Sequence, residues 1–477
     1  MNILKHRYLF FSILLFIFIY VSISIVNHYV FRTYALDLGA YTNALYDYSH
    51  FQFNDSTVFK NSAENLLADH FDLYLILISP LSLIFKGYTL LIIQIIMIPI
   101  GGIGIYKLFN QSKIGLFACI YFLSFFGVFS AISFDYHSNV IASCIIPWLF
   151  LHIKRQNIKV SVLLFLLILI AKENMALWTF FISAGLFIIY RKNTKIKRLS
   201  FIFMMFSVVY FYLVISVFMP YFSNTDSYHH FHYSSLGNTP FDALLYMISH
   251  PIQTIKTLFI NHNFSINGDY VKLELHLFLI ISGLPILLKN PAYLIMLIPI
   301  YFQKLFHDNI EMWGIHNHYS VEFAPILAIG IFSVLKDIKK EKLRHILIYL
   351  VILFNIICTI RLMDNTVYFS NKSKIRIYKK SHYTREYDIF KVHTALNHLP
   401  KDAIISSQSP FVPHLAYRDK IYQFPIIKDA QYIILSDFES SYPIDSLEFK
   451  HKKNELLNSN QWKIEYDKEG LLILKRS

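Results

Sequence analysis

The sequence predicts an all-α polytopic membrane protein, about eleven transmembrane helices long, with a small C-terminal α/β domain. Three observations predict it. The 477 residues are 55% hydrophobic and only 16% charged, where soluble domains carry about a quarter charged residues. Twelve apolar runs are long enough to enter or cross a bilayer, near 8–30, 73–85, 88–106, 114–133, 138–153, 158–171, 175–190, 199–220, 273–288, 292–305, 319–335 and 345–362. From about Arg376 the chain turns polar, and "DAIISSQ", "QYIILSD" and "GLLILKR" read as short strands. The expected division is therefore a transmembrane domain over 1–362 and a C-terminal extracytoplasmic domain over 363–477.

The first run begins after Lys5 and Arg7 like a signal peptide, but it is too long for one and no small-residue cleavage site follows. It reads as a retained first helix. The basic tracts "KRQNIK" (154–159), "RKNTKIKR" (191–198) and "KDIKKEKLR" (336–344) mark the cytoplasmic side. Alternation then puts loops 31–72 and 221–272, the turns near 134–137, 171–175 and 306–318, and everything after 362 on the outer side. Counting all twelve runs as crossings breaks this alternation between residues 72 and 107, so the short, Pro80-bearing run 73–85 is expected to be re-entrant or interfacial. The net charge of +13 sits mostly in these tracts, which fits topology and anionic headgroups and argues against nucleic acid. Cys119, Cys144 and Cys358 lie in apolar runs with no metal or disulfide spacing.

Ionisable residues at the membrane edge are costly and so are candidate site residues. Five clusters qualify, and all fall on the expected outer side. They are Asp37 in "ALDLGAY", Asp69, His70 and Asp72 in "LADHFDLY", and Asp135 with His137 in "SFDYHSN". Lys172 and Glu173 in "IAKENMAL" and His316, His318 and Tyr319 in "GIHNHYS" complete them. Structural roles compete with functional ones: Asp37 as cap of the aromatic helix that follows, Lys172 and Glu173 as a solvated pair, and the His and Tyr residues as interfacial anchors. The i, i+2 spacing of His316 and His318 does not share a helical face, but on a loop the pair can hold a metal. "YHHFHY" (228–233) resembles a metal tract in composition and reads better as a solvated loop. No phosphate loop, dinucleotide fingerprint, nucleophile elbow or zincin motif is present.

An acid at a membrane exit can act as general base or hold a divalent cation (Mg or Mn) against phosphate. Nearby Lys and His can neutralise a phosphate leaving group. A lipid-phosphate sugar suits such a place, because its tail stays in the bilayer while its head enters a polar cavity.

"ALDLGAYTNALYD", "DHFDLYLILISPLSLIF", "SFDYHSNVIASCIIPWLFL", "AKENMALW", "IHNHYSVEFAPILAIGIF" and "SSQSPFVPHLAYRDKIYQFP" occur in this order. Together they resemble the Domain-of-Unknown-Function-2079 family of bacterial membrane proteins, over residues from about 30 to about 440. That family is similar to GT-C-fold glycosyltransferases such as protein mannosyltransferases and aminoarabinose transferases. The resemblance implies a GT-C-like fold in the bacterial inner membrane, a polyprenyl-phosphate sugar donor, and an envelope glycan, lipid or protein acceptor. It implies a catalytic role for Asp37, with Asp69 second. His70, Asp135, His137, Lys172, Glu173, His316, His318 and Tyr319 are then substrate-binding. The sequence departs from the expected pattern at Asn174 in "KEN", where an acid would follow the glutamate. The rival expectation is a transporter or flippase, which should show charges through the bilayer and inverted repeats. A third is an assembly or sensor protein acting through its C-terminal domain.

Overall fold

The computed structural model describes residues 6–56, 58, 64–223, 231–368 and 372–477. It is mostly helical with one small C-terminal sheet, and it forms two compact units. The first comprises residues 1–20, 94–220 and 227–376, and the second 21–93, 221–226 and 377–477.

Among the described residues, Arg7–Tyr29, Tyr74–Leu108, Thr194–Phe222 and Glu341–Asp364 are long and apolar enough to cross a membrane. Lys113–Leu123 and Phe126–Ser133, bent by 41°, add a fifth when taken as one span. Five shorter apolar helices accompany them: Ser138–Lys154, Ile158–Leu169, Met175–Ile189, Ala292–Leu305 and Phe323–Lys336. The expected separate runs 73–85 and 88–106 are one 35-residue apolar element. It is broken at Lys86, whose φ of 46° stops the first helix before Thr89 restarts the second.

In the first unit, three helices that follow polar turns start on side-chain caps. Ser112, Asn157 and Asn193 each accept a backbone N–H from the first turn of the helix they precede, which satisfies donors that no lipid can. The bend between Leu123 and Phe126 frees carbonyls in an apolar setting, and side chains meet them. Tyr20 Oη donates to Leu123 O, Thr359 Oγ1 to Ser124 O and Asn355 Nδ2 to Tyr121 O. Just after the bend, Gly127 lies so close to Ser320 that a Cβ there would stand 2.3 Å from its carbonyl oxygen. The region 221–272, expected as a polar loop, contains two helices, Pro240–Ser249 and Pro251–Thr257. Proline at the first turn of each presets the backbone, and Thr239 caps the first by accepting from Asp242 N. Residues 228–230 of "YHHFHY" lie outside the described residues.

The second unit holds a five-stranded sheet of order β2-β1-β3-β5-β4. Its strands are β1 Ile405–Ser407, β2 Ile421–Gln423, β3 Tyr432–Ser436, β4 Trp462–Lys468 and β5 Leu471–Arg476. β1 runs parallel to β2 and β3, and β5 is antiparallel to β3 and β4. The expected strands are β1, β3 and β5; β2 is too short at three residues to show a pattern, whereas β4 alternates Trp462, Ile464 and Tyr466 with charged residues and carried a strand signal that sequence reading missed. One face of the sheet packs Ile433, Leu435, Leu472 and Leu474 with Phe449 and Leu456 of helix Ser446–Asn458. The residues that follow the first apolar helix are stitched to this domain. Arg32 donates to the carbonyls of Ser381, His382 and Thr384. Ala35 N donates to Ser409 Oγ, and Asn43 Nδ2 to Arg418 O at 2.7 Å.

Candidate functional site

The first unit brings most of the sequence-selected residues into one buried polar cluster. Phe134–His137 is the turn between helices Phe126–Ser133 and Ser138–Lys154. Gln94, a lone amide in an apolar run, clamps this turn: its Nε2 donates to Asp135 O at 3.1 Å and its Oε1 accepts from His137 N at 2.9 Å. The Asp135 carboxylate, 2% exposed, is met by Lys374 Nζ at 3.5 Å, and that ammonium also stands over the Phe134 ring. The His137 and His318 rings approach to 3.3 Å between centroids, with Phe134 packed against both and Tyr319 against His318.

Beyond the imidazoles, Asn139 Nδ2 donates to Glu322 Oε1 at 2.7 Å. Glu322 interacts electrostatically with Lys304 and Lys172. Lys304 Nζ donates to Gly314 O at 2.8 Å and lies near the Tyr319 ring. His316 turns away from His318, and its Nε2 meets Thr366 Oγ1, which also accepts from Lys372 Nζ, both at 2.7 Å. Burial, reinforced by Lys372, lowers the His316 pKa to about 3, so the ring is neutral at pH 7. Burial also lowers Lys372, to about 8. Glu173 is buried and interacts with Tyr210. Asn174, the departure from the expected pattern, donates to Gln303 Oε1 at 3.1 Å.

Asp37, Asp69 and His70 belong to the second unit. Asp37 has φ 68° and ψ −94°, a conformation that costs a non-glycine residue of order 1–3 kcal/mol. The helix Ala40–Ser49 that follows has Gly39 at its N-cap position. Asp69 and His70 form an adjacent pair at 4.0 Å. Asp72 is structural in part, since its Oδ1 accepts from Tyr74 N at the start of the next helix. Asp47, unselected in the sequence, is buried within helix Ala40–Ser49 and accepts from Asn54 Nδ2 at 2.7 Å. Burial raises its pKa to about 7 against the opposing Asn54 bond.

Gln94, Asn139, Lys304, Glu322, Lys372, Lys374 and Asp47 are the residues that sequence reading missed. Lys304 and Gln94 had a signal, a polar group inside an apolar run; Lys372 and Lys374 had none, lying in a stretch that reads as solvated. Among the described residues no three His, Cys, Asp or Glu side chains converge as a metal-ligand set. His316 Nε2 meets Thr366 Oγ1, while the His318 ring packs on His137.

No curated protein matches the chain. The family model for predicted membrane proteins designated DUF2079 matches residues 27–473. Nearly the whole chain, including the buried cluster, the first loop and most of the C-terminal sheet, falls inside that match, and the protein belongs to the DUF2079 family of predicted membrane proteins.

Proposed function

We propose that this protein is a membrane glycosyltransferase of GT-C-like architecture, moving a sugar from a polyprenyl-phosphate donor to a cell-envelope acceptor. The observation that carries the reading is the buried cluster of the first unit. There Lys304, Lys372 and Lys374 stand among Asp135, His137, His316, His318 and Glu322. Buried ammonium groups are suited to the phosphate released when the bond between sugar C1 and the phosphate oxygen breaks. The acceptor hydroxyl oxygen forms the new bond to C1, and its proton goes to a carboxylate. The resemblance gives a catalytic role to Asp37, a residue of the second unit, and its strained backbone is the kind of feature retained at functional sites.

The topology that accompanies this reading has eleven spans in a bacterial inner membrane. Counting Tyr74–Leu108 and Lys113–Ser133 as single crossings, and Val271–Lys289 as one, gives eleven with the other helices. This count removes the parity conflict between residues 72 and 107 and keeps every basic tract on one side. Residues 1–362 then form the transmembrane domain, and 363–477 lie outside the cytoplasm.

Membranes carrying wild-type protein or Asp37→Asn, given a panel of radiolabelled polyprenyl-phosphate sugars, test the role of Asp37. Wild type is expected to transfer label to envelope material and the variant to lose transfer. Equal transfer by both would remove Asp37 from the chemistry.

A further inference from the structure

We propose that residues 240–266 form an in-plane membrane-binding element, with an apolar face that lies in the lipid of one leaflet. The helix Pro240–Ser249 and the helix Pro251–Thr257 each divide their surface into three sectors. At about 100° per residue, Phe241, Leu244, Leu245 and Ile248 fall within one arc of the first helix, and all four are exposed. Ile252 and Ile255 continue as an exposed pair on the second, followed by Phe259, Ile260, Phe264 and Ile266. Phe241, Ile248 and Ile252 are 67%, 70% and 77% exposed, a degree of apolar exposure that water does not favour.

A second sector faces protein. Ala243, Tyr246, Met247 and Leu258 pack on Leu236 and Phe306 of the same unit. The third sector is exposed and polar, with Asp242, Ser249, Gln253 and Lys256. A helix presenting protein, water and apolar surroundings in separate arcs is the pattern of an element lying in an interface. A surface meant for water alone has no reason for the apolar arc.

The occupant of that arc is lipid because of where the chain comes from and returns to. The segment follows a candidate span that ends at Phe222. Five residues after Ile266 it enters helix Val271–Ile281, whose Leu273, Leu277, Ile280 and Ile281 are also exposed; five residues reach at most about 18 Å. The return is rigid. Lys272 Nζ donates to Thr257 O at 2.6 Å, His276 Nε2 meets Leu258 O at 3.0 Å, and Asn263 Nδ2 donates to Asp308 O at 2.6 Å. Lys256, at the edge of the apolar arc, is placed to reach headgroup phosphate.

The test is single cysteines at Ile248, Ile252 and Gln253, labelled with a nitrobenzoxadiazole dye, in nanodiscs of phosphatidylethanolamine and phosphatidylglycerol. The three native cysteines are buried and stay in place. Dyes at 248 and 252 are expected to emit at shorter wavelength, to lose intensity with spin-labelled phosphatidylcholine and to resist iodide, while the dye at 253 responds to iodide. Iodide quenching at all three positions overturns the proposal. So does protection from both quenchers, which means a protein partner or second copy covers the face. A diazirine phospholipid with unaltered protein gives the same decision without substitutions: crosslinks within 240–266 are expected, and their absence overturns the proposal.

Discussion

Asp135 in the first unit and Asp47 in the second are equally buried, each 2% exposed, yet they are held by different physics. Asp135 is met by the Lys374 ammonium. Asp47 is met by the Asn54 carboxamide, and its proton affinity rises to about 7 because burial outweighs that bond. The first unit assembles formal charges of both signs in a small buried space, where removing one member leaves another uncompensated. Elsewhere the second unit also pairs acids with cations, as in Arg385 with Glu439, so the neutral setting belongs to Asp47 itself, and protonation decides its charge.

The largest expected effect is on chemistry. A general base typically contributes about 10²–10⁴-fold, so Asp37→Asn should lower sugar transfer by at least about 100-fold with unchanged membrane insertion. An assay of transfer per mole of folded protein checks it. Loss of folded protein instead would move Asp37 to the structural side of the comparison.

Next comes stability in the first unit. Lys304→Met removes the buried ammonium that donates to Gly314 O and interacts electrostatically with Glu322, and leaving that buried carbonyl without its donor costs about 1–3 kcal/mol. Thermal unfolding in detergent should show a clear drop, and a second substitution, Glu322→Gln, should recover part of it. A variant as stable as wild type would mean that the charges are solvated.

Of similar size is Gly127→Ala. Its Cβ would stand 2.3 Å from Ser320 O, so the segment carrying His318 must move, at about 1–3 kcal/mol for overpacking. A lowered unfolding temperature together with changed ring contact at His137 and His318, read by imidazole resonances, is the expected result.

The subtlest effect belongs to the second unit and depends on pH. Asp47 has a folded pKa near 7, above the ordinary value of 3.8. Between these values the folded state binds more protons than the unfolded state, so this residue makes stability fall as pH rises from about 4 to 7. Asp47→Asn keeps a carbonyl to accept from Asn54 and removes the titration. Unfolding temperatures across that range should decline less in the variant than in wild type.

Much of this architecture was legible in composition and periodicity. The apolar helices lie where runs of Leu, Ile and Phe placed them, because lipid demands such runs irrespective of tertiary contacts. β1, β3 and β5 were legible for a similar reason, as short apolar runs buried along most of their length. Hidden were features that depend on distant partners. Nothing near Lys374 announces Asp135, and nothing near Arg32 announces the carbonyls of residues 381, 382 and 384. The helices at 240–257 were masked by Asn, Ser and Pro, which read as loop until Thr239 and the prolines are seen as helix starts. Of the candidate residues, the motifs picked Asp135, His137, His316 and His318 but not Glu322 or Lys304, because the apolar pattern around those two dominates.

The most direct test of the proposed reaction uses purified protein in nanodiscs and a polyprenyl-phosphate sugar labelled in both lipid and sugar, with envelope extract as acceptor. Glycosyl transfer predicts that the sugar label leaves the lipid label and appears in acceptor, and that Asp37→Asn leaves the two labels together. In proteoliposomes, movement of the doubly labelled donor to the opposite leaflet without separation of the labels would contradict the account and identify a transporter.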